Sequence, residues 1–395
     1  MGRTRPTVVL QPQAYRKDAR AKQAKATINK TIPALLTANP RAQRGIDNGE
    51  LIPDPPRHCH HTISVDRKSN QHAGHHPPEP ELVPSTPRVR IVVADTITTA
   101  LQLFSSSTTG GKQAEDGKIG VLNMASPLRP GGGFLNGATS QEESLCMRTT
   151  LYPSLQENFY RLPDVGGVWT PDVLIFRDGT QDAGELRKGD RRYVGVVSAG
   201  MLRFPDLDED GEAYASQKDR DLVERKMRAV MRIFEAKRIE RVVLGAWGCG
   251  AYGNPVKEIA SGWRKVLLPD SNMSRTERKK SRTESHDDDW SGIKEVVFAI
   301  KDRAMAEKFG KCFDDDIEVE YTDVDEEAEP EYDPEDESIR ELNRRISELE
   351  IQIPQARSDV LKRGLETILD ALQKQLKDRN NRARISRKGG EPADG

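Results

Sequence analysis

The sequence predicts a mixed α/β protein with a largely parallel sheet covered by helices on both faces. Three observations predict it. Short, continuous apolar runs recur along the middle of the chain, amphipathic helical segments alternate with them, and glycine-rich loops follow two of the runs. A strand without polar alternation is buried on both sides, which requires helices above and below the sheet.

The elements follow in order. Residues 14–38 read as helix from Ala14, Ala19, Ala21, Ala24, Ala26 and Ile28, with an interruption or kink expected at Pro33. Pro53, Pro55, Pro56, Pro77, Pro78, Pro80, Pro84 and Pro87 exclude a regular element between 53 and 87. Val89–Val93 predicts a strand and Thr96–Phe104 a helix. Further strands are expected at Ile119–Met124, Val173–Phe176, Tyr193–Ser198, Arg241–Ala246 and Val296–Ile300. Leu222–Lys237 is amphipathic, with Val223, Met227, Val230, Met231 and Phe234 at helical spacing, and Pro255–Leu267 is a further helix. The core is thus assigned to 88–312, behind a helical region 1–52 and a Pro/His-rich linker 53–87.

Beyond the last strand the texture changes. Ser271–Asp289 is polar, carries Arg278-Lys279-Lys280-Ser281-Arg282 and reads as an exposed insertion. Asp314–Glu337 has 15 acidic residues in 24 and no Lys or Arg, so the linker 313–337 is expected to stay disordered. Ile339, Leu342, Ile346, Leu349 and Ile353 form a heptad stripe that Pro354 ends; Leu361, Leu365, Ile368, Leu372 and Leu376 form a second. Residues 338–380 therefore predict a helical hairpin or short coiled coil, for docking on the core or for association with itself or a partner. Residues 381–395 read as a disordered tail.

Composition agrees with this division. Hydrophobic residues make up 35% of the 395 and charged residues 31%, with mean hydropathy −0.71, too polar for one packed unit. The 61 basic and 63 acidic residues leave a net charge of −2, so no overall field favours nucleic acid. Cys59, Cys146, Cys249 and Cys312 stand far apart, which argues against a disulfide framework and for a reducing, intracellular setting, cytoplasmic or nuclear. No apolar run approaches the ~20 residues of a membrane span, and the N-terminus lacks the pattern of a signal peptide.

The densest chemical signal is Val121–Leu155. A strand runs into Gly131-Gly132-Gly133, and a helix follows at Gln141-Glu142-Glu143. Glycines remove Cβ atoms where backbone must approach something closely, and free N–H groups ahead of a helix cradle phosphate. A flexible loop would account for a triple glycine equally well. The spacing fits neither a Walker A loop nor the dinucleotide GxGxxG. Ser140 and Glu143 fit a capping box; the functional alternative is a general acid beside a hydroxyl-binding carboxylate. Neighbouring helical residues point about 100° apart, so different tasks suit Glu142 and Glu143 better than a symmetric pair. A second loop, Gly245–Pro255, also follows a strand and precedes a helix. Two such loops could enclose one diphosphate, or be unrelated turns. Tyr252 would stack on a ring, close the pocket, or simply pack.

Taken together, these residues resemble the catalytic segment of the microbial-type poly(ADP-ribose) glycohydrolases. The likeness rests on three glycines, seven residues (Phe134–Ser140), then Gln-Glu-Glu, and on LGAWGCGAYGNP (Leu244–Pro255), VVSAGMLRFP (Val196–Pro205) and TINKTIPALLTANPRAQRGI (Thr27–Ile46). The resemblance implies a macrodomain-like three-layer α/β/α core, preceded by an accessory helical region, that hydrolyses ribose–ribose O-glycosidic bonds. By position, Glu143 resembles the catalytic acid and Glu142 the residue that holds ribose hydroxyls. Gly131, Gly132 and Gly133 look like the loop that brackets the diphosphate, with Gln141 beside it. Gly248, Cys249, Gly250 and Ala251 look like the facing phosphate loop, and Asn123 like a contact to the distal ribose. Tyr252 falls where family members often carry Phe, which adds a hydroxyl to the ring that packs on the terminal ribose. The implied partners are poly(ADP-ribose) or ADP-ribosylated proteins, with no cofactor and no metal.

Other clusters have plain readings. His58, His60, His61, His72, His75 and His76 surround Cys59 without the usual spacing of a zinc site and read as a solvated loop. Arg278–Arg282 reads as a solvated basic turn, against a nuclear address or a polyanion contact. Cys146 and Cys249 have no His close in sequence and read as packing. The rival functions are a hydrolase of single ADP-ribose units, a non-catalytic ADP-ribose reader, and a scaffold that works through its tail. Gln141-Glu142-Glu143 argues against the reader, which has no need of an acid.

Overall fold

The computed structural model describes residues 13–56, 86–105, 118–178, 184–268, 288, 290–314 and 317–321, with 346, 353, 362, 365–366 and 368–377 of the tail. Its elements run α1 (Gln13–Ala26), a π-helical turn (Thr27–Thr31), α2 (Ile32–Ala38), α3 (Pro40–Asp47), β1 (Glu50–Pro53), β2 (Arg88–Val93), α4 (Thr96–Ser105) and β3 (Ile119–Met124). They continue with α5 (Gln141–Arg148), β4 (Gly166–Ile175), β5 (Arg192–Ala199), α6 (Gln217–Ala236), β6 (Arg241–Leu244), α7 (Val256–Leu267), β7 (Glu295–Ala299), α8 (Arg303–Phe313) and β8 (Val319–Tyr321).

The eight strands form one sheet in the order β1-β4-β5-β3-β6-β7-β2-β8. β1/β4 and β4/β5 pair antiparallel, and every other pair is parallel. From β3 the chain returns on one side through β4 and β5, and then on the other side through β6. That reversal makes the carboxyl end of β3 a switch point, where open α/β sheets form a crevice.

Strand alternation sorts the side chains to the two faces. Val121, Val196, Val243 and Val297 join Ile97, Leu103 and Leu145, which puts α4 and α5 on one face. On the other face Phe298 meets Trp263 of α7 and Phe309 and Phe313 of α8, and Trp169 meets Phe234 of α6. Local signals start the helices. The Ser216 hydroxyl accepts from Lys218 N–H to begin α6, and Asp302 accepts from Met305 N–H to begin α8.

Several expectations need correction. Pro33 does not kink one long helix: it occupies the first turn of α2, and the irregularity is the π-turn before it. There Arg177 Nη1 donates to the buried Thr27 hydroxyl over 2.9 Å. Residues 13–47 are largely helical, and at the end of the N-terminal region β1 adds a strand to the sheet beside β4. The acidic stretch after Asp314 is not wholly without structure. Ile317, Val319 and Tyr321 interrupt its charges, β8 pairs with β2, and Arg90 neutralises Glu320 at 2.6 Å. Of the insertion 271–289 only Asp288 is described, and its side chain pairs with Arg228 at 3.3 Å and Arg232 at 2.9 Å.

A second compact unit comprises Leu202–Pro205, Gly248–Asn254 and Asp323–Gly395. Within it Ile346 and Leu372 are buried and pack with Phe204, Leu365, Leu369 and Leu376. Ile368, expected in the apolar stripe, is 43% exposed, and Leu369 takes its place. Both positions satisfy a 3.6-residue period after Leu365. The His58–His76 loop, Arg278–Arg282, the tail 381–395 and most of 338–380 lie outside the described residues.

Candidate active site

β3 ends at Met124 and the loop Ala125–Ser140 carries the chain to α5. Gln141, the first residue of α5, fastens this helix to the strand. Its Oε1 accepts from Met124 N–H at 2.9 Å, and its Nε2 donates to the Leu122 carbonyl at 2.8 Å and to the Thr96 hydroxyl at 3.3 Å. Those bonds commit the Gln141 amide to positioning α5, where the resemblance implied a substrate contact. At the far end of α5 the buried Arg148 donates to Asp95 Oδ1 over 2.9 Å. Burial works to raise the Asp95 carboxyl, but the Arg148 charge and the Thr98 hydrogen bonds outweigh it and hold it below its ordinary value.

So anchored, α5 buries Glu142 and Glu143 at 2% and 6% exposure. Glu142 Oε2 accepts from Ser126 N–H at 2.8 Å, while its buried Oε1 has no hydrogen-bond partner among the described residues. Glu143 Oε1 accepts from Gly133 N–H at 2.6 Å, and its Oε2 is bonded to the Ser140 hydroxyl. The expected capping box does not form, since the Ser140 side chain caps no backbone N–H of α5 and is spent on the Glu143 carboxylate.

The triple glycine lies directly over these carboxylates. Gly131 and Gly132 have φ of +65° and +55°, the left-handed region. A Cβ on Gly132 would stand 2.7 Å from Glu143 Oε1 and 2.8 Å from Glu142 Oε2. One on Gly131 would stand 2.8 Å from the Tyr152 ring. Gly132 is therefore required by the protein's own acids and Gly131 by the Tyr152 ring, whatever else approaches them.

Burial pushes the Glu142 carboxyl well above the usual carboxylate range, and the Glu143 charge adds to it; donors on Ser126, Asn123 and Gly131 oppose the shift without reversing it. The Cys146 thiol is also raised, by burial first and then by both glutamates. It is fully buried in the core, as the packing reading expected. Asn123 is fully buried on β3 and donates Nδ2 to Ser198 Oγ, its register partner on β5, at 3.0 Å. Asn123 Oδ1 has no partner among the described residues. Asn123 Oδ1 and Glu142 Oε1 are thus two buried acceptors without a hydrogen-bond partner among the described residues.

Gly131–Gly133, Gln141, Glu142, Glu143 and Asn123 are brought together in this way. The residues Gly248–Tyr252 belong to the second unit. There Gly248 has φ +82°, Asn254 Nδ2 closes the loop onto the Gly248 carbonyl at 3.1 Å and the Leu202 carbonyl at 2.8 Å, and Arg203 lies 5.3 Å over the Tyr252 ring. The space beside Gly250 is open. Sequence reasoning missed Ser126, Ser198, Asp95 and Arg148. Only Asp95, a helix-capping type directly before Thr96, left a local signal. No group of three or more His, Cys, Asp or Glu among the described residues is placed to hold a metal ion. No helix among them is long and apolar enough to cross a membrane.

A buried carboxylate pair thus lies under a glycine turn at the carboxyl end of a parallel strand of an α/β sheet. Residues 57–178 match the family model described as microbial-type PARG, catalytic domain, where PARG is poly(ADP-ribose) glycohydrolase. The match spans the glycine turn and both glutamates, the segment on which the sequence resemblance rests. Poly(ADP-ribose) glycohydrolase from Thermomonospora curvata is 20% identical, over 75% of this chain and 100% of that chain, with a TM-score of 0.52. The same protein bound to the inhibitor ADP-HPD is 19% identical over 75% and 98%, at 0.49. Poly(ADP-ribose) glycohydrolase from Deinococcus radiodurans in complex with ADP-ribose is 22% identical over 57% and 82%, at 0.41. The first of these likenesses supports the α/β fold. No curated protein matches.

Proposed function

We propose that this chain is a poly(ADP-ribose) glycohydrolase that cleaves ribose–ribose O-glycosidic bonds, with Glu143 as general acid and then general base. The carrying observation is the Glu143 carboxylate, buried and held at both oxygens beneath the glycine turn. Gly133 N–H can only donate, so Oε1 stays an acceptor and the acid proton belongs on Oε2. The Ser140 hydroxyl beside Oε2 both donates and accepts, so one contact serves both protonation states. A substrate diphosphate nearby would favour the protonated form.

In the reaction Oε2 gives its proton to the leaving ribose oxygen as the C–O bond breaks. The oxocarbenium-like ribose that remains is stabilised by the substrate's own diphosphate. The Glu143 carboxylate then takes a proton from water as the water oxygen bonds to that carbon, which restores the acid. Glu142 Oε1 and Asn123 Oδ1 are the acceptors assigned to ribose hydroxyls. The backbone of Gly131–Gly133 is assigned to the diphosphate; in the second unit, taken by itself, Gly248–Ala251 are assigned to phosphate and Tyr252 to a ribose ring. The free space beside Gly250 supports the second assignment.

The proposal extends to a macrodomain-like three-layer core, supported by helices on both sheet faces, and to association through 338–380, supported by the exposed Ile368 of the second stripe. An intracellular setting is supported by the free thiols Cys146, Cys249 and Cys312. The test incubates the full chain with a poly(ADP-ribosyl)ated acceptor and, in parallel, with a mono-ADP-ribosylated one. Release of ADP-ribose with shortening of the chains is expected. Release from the mono-modified acceptor alone would replace polymer with single units as substrate.

A further inference from the structure

Outside the matched segment 57–178, the N-terminal arm grips the loop that holds Glu143. Gly137 has φ +74°, and a Cβ there would stand 2.2 Å from the Lys17 carbonyl oxygen and 3.1 Å from Ala21 N, so α1 lies directly on this glycine. Arg20 Nε donates to the Gly137 carbonyl over 2.9 Å. One turn further on, Ala24 is fully buried in the same cluster as Phe134, Leu145 and Cys146. Past it, Arg177 ties the Thr27 hydroxyl (2.9 Å) to the Met147 carbonyl of α5 (2.7 Å).

The gripped turn leads straight to the acid. The Gly133 carbonyl accepts from Asn136 N–H at 2.9 Å and from Ala138 N–H at 3.2 Å, and Gly137 N–H bonds the Phe134 carbonyl at 3.1 Å. Gly133 is thereby locked to the residues on both sides of Gly137. Its own N–H is the donor to Glu143 Oε1. An arm residue, a closed turn, a backbone donor and the acid form one unbroken line of contacts.

We propose that α1 is a working part of the active site and that Arg20 is a positioning residue, setting the Gly133 N–H against Glu143 through Gly137. The inference rests on the hydrolase reading. Its physical basis is that small misplacements of a reacting group cost far more in rate than in stability.

The test compares Arg20→Ala, Arg20→Lys and Arg41→Ala in the full chain. Arg41 pairs with Asp172 at 2.7 Å on α3 and serves as an arm substitution away from the loop. Two readouts are taken: kcat and KM on poly(ADP-ribose), and hydrogen exchange of the segment 131–140 in the free protein. Arg20→Ala should lower kcat about 10-fold at a KM within about twofold. It should speed exchange of 131–140 about 10-fold by local opening, and Arg20→Lys, which keeps a donor, should recover most of both. Arg41→Ala should leave both unchanged. Unaltered exchange in Arg20→Ala, or faster exchange with unaltered kcat, would overturn the proposal. A wild type that never releases ADP-ribose overturns the hydrolase reading instead, while exchange still decides whether Arg20 clamps the loop.

Discussion

The backbone N–H of Gly133 stands 2.6 Å from Oε1 of Glu143, on the same glycine turn that would clash with both carboxylates if Gly132 carried a side chain. Loop and acid are thus a single device. The loop needs Gly132 because the acids lie beneath it, and one acid is oriented by a loop donor. Gly132→Ala tests this coupling. A side chain at φ +55° costs roughly 1–2 kcal/mol in backbone terms, and its Cβ must displace a buried carboxylate. Melting should reveal a modest stability loss, while turnover should fall by about 10²-fold. Near-normal turnover in a folded Gly132→Ala protein would dissociate loop from acid.

Glu142 carries the opposite sign. Its carboxyl is raised in the folded protein, so between the ordinary carboxylate value of 4.5 and the raised one the folded state binds more protons than the unfolded state. Stability then falls as pH rises through this window, and no penalty exists below it. Glu142→Gln should raise the melting temperature at neutral pH, have little effect near pH 4, and weaken activity. Melting curves of both proteins at the two pH values check this. A uniform shift would assign the effect to packing.

Ser198 orients Asn123. With the Asn123 Nδ2 tied to Ser198 Oγ, Oδ1 is the amide atom without a partner among the described residues, and the one proposed for a ribose hydroxyl. Ser198→Ala leaves a buried amide donor unpaired, at a cost of about 1–3 kcal/mol. ADP-ribose affinity should drop several-fold as the amide loses its orientation, with kcat much less changed. Titration calorimetry with steady-state rates separates the two, and an unaltered affinity would remove Asn123 from ribose binding.

Lys226 of α6 reaches the Gly200 carbonyl at 3.1 Å and also bonds the Asp164 carbonyl. Burial lowers its pKa from 10.5 to about 8, against the weak pull of Asp164. The folded state therefore loses this proton first, and stability should rise between about pH 8 and pH 10.5. Denaturant midpoints across that range should show the rise in wild type and not in Lys226→Met. An identical pH profile in both would mean that the lysine titrates as if exposed.

Much of this was legible in the chain. β3 has the expected bounds, Ile119–Met124, because a short apolar run of strand length carries Ile119 and Val121 and ends ahead of a loop. The glycine–glutamate spacing pointed to the site because both parts lie on one short segment. What was not legible depends on distance along the chain. Asn123 meets Ser198 only through strand register, and Arg20 meets Gly137 across 117 residues. β1 and β8, of four and three residues, are too short to show a period and are defined by the strands they join. Ser140 and Glu143 read as a capping box because their spacing cannot reveal that the hydroxyl faces the carboxylate.

The most direct test of the central claim is single-turnover release of ADP-ribose from poly(ADP-ribose) by the wild-type chain and by Glu143→Gln, with ADP-ribose affinity measured for both. Gln keeps the shape and the acceptor facing Gly133 but carries no transferable acid proton. The account predicts comparable affinity and a rate at least about 10²-fold lower in the variant. Comparable affinity with an undiminished rate would contradict it, and the acid would have to be sought elsewhere.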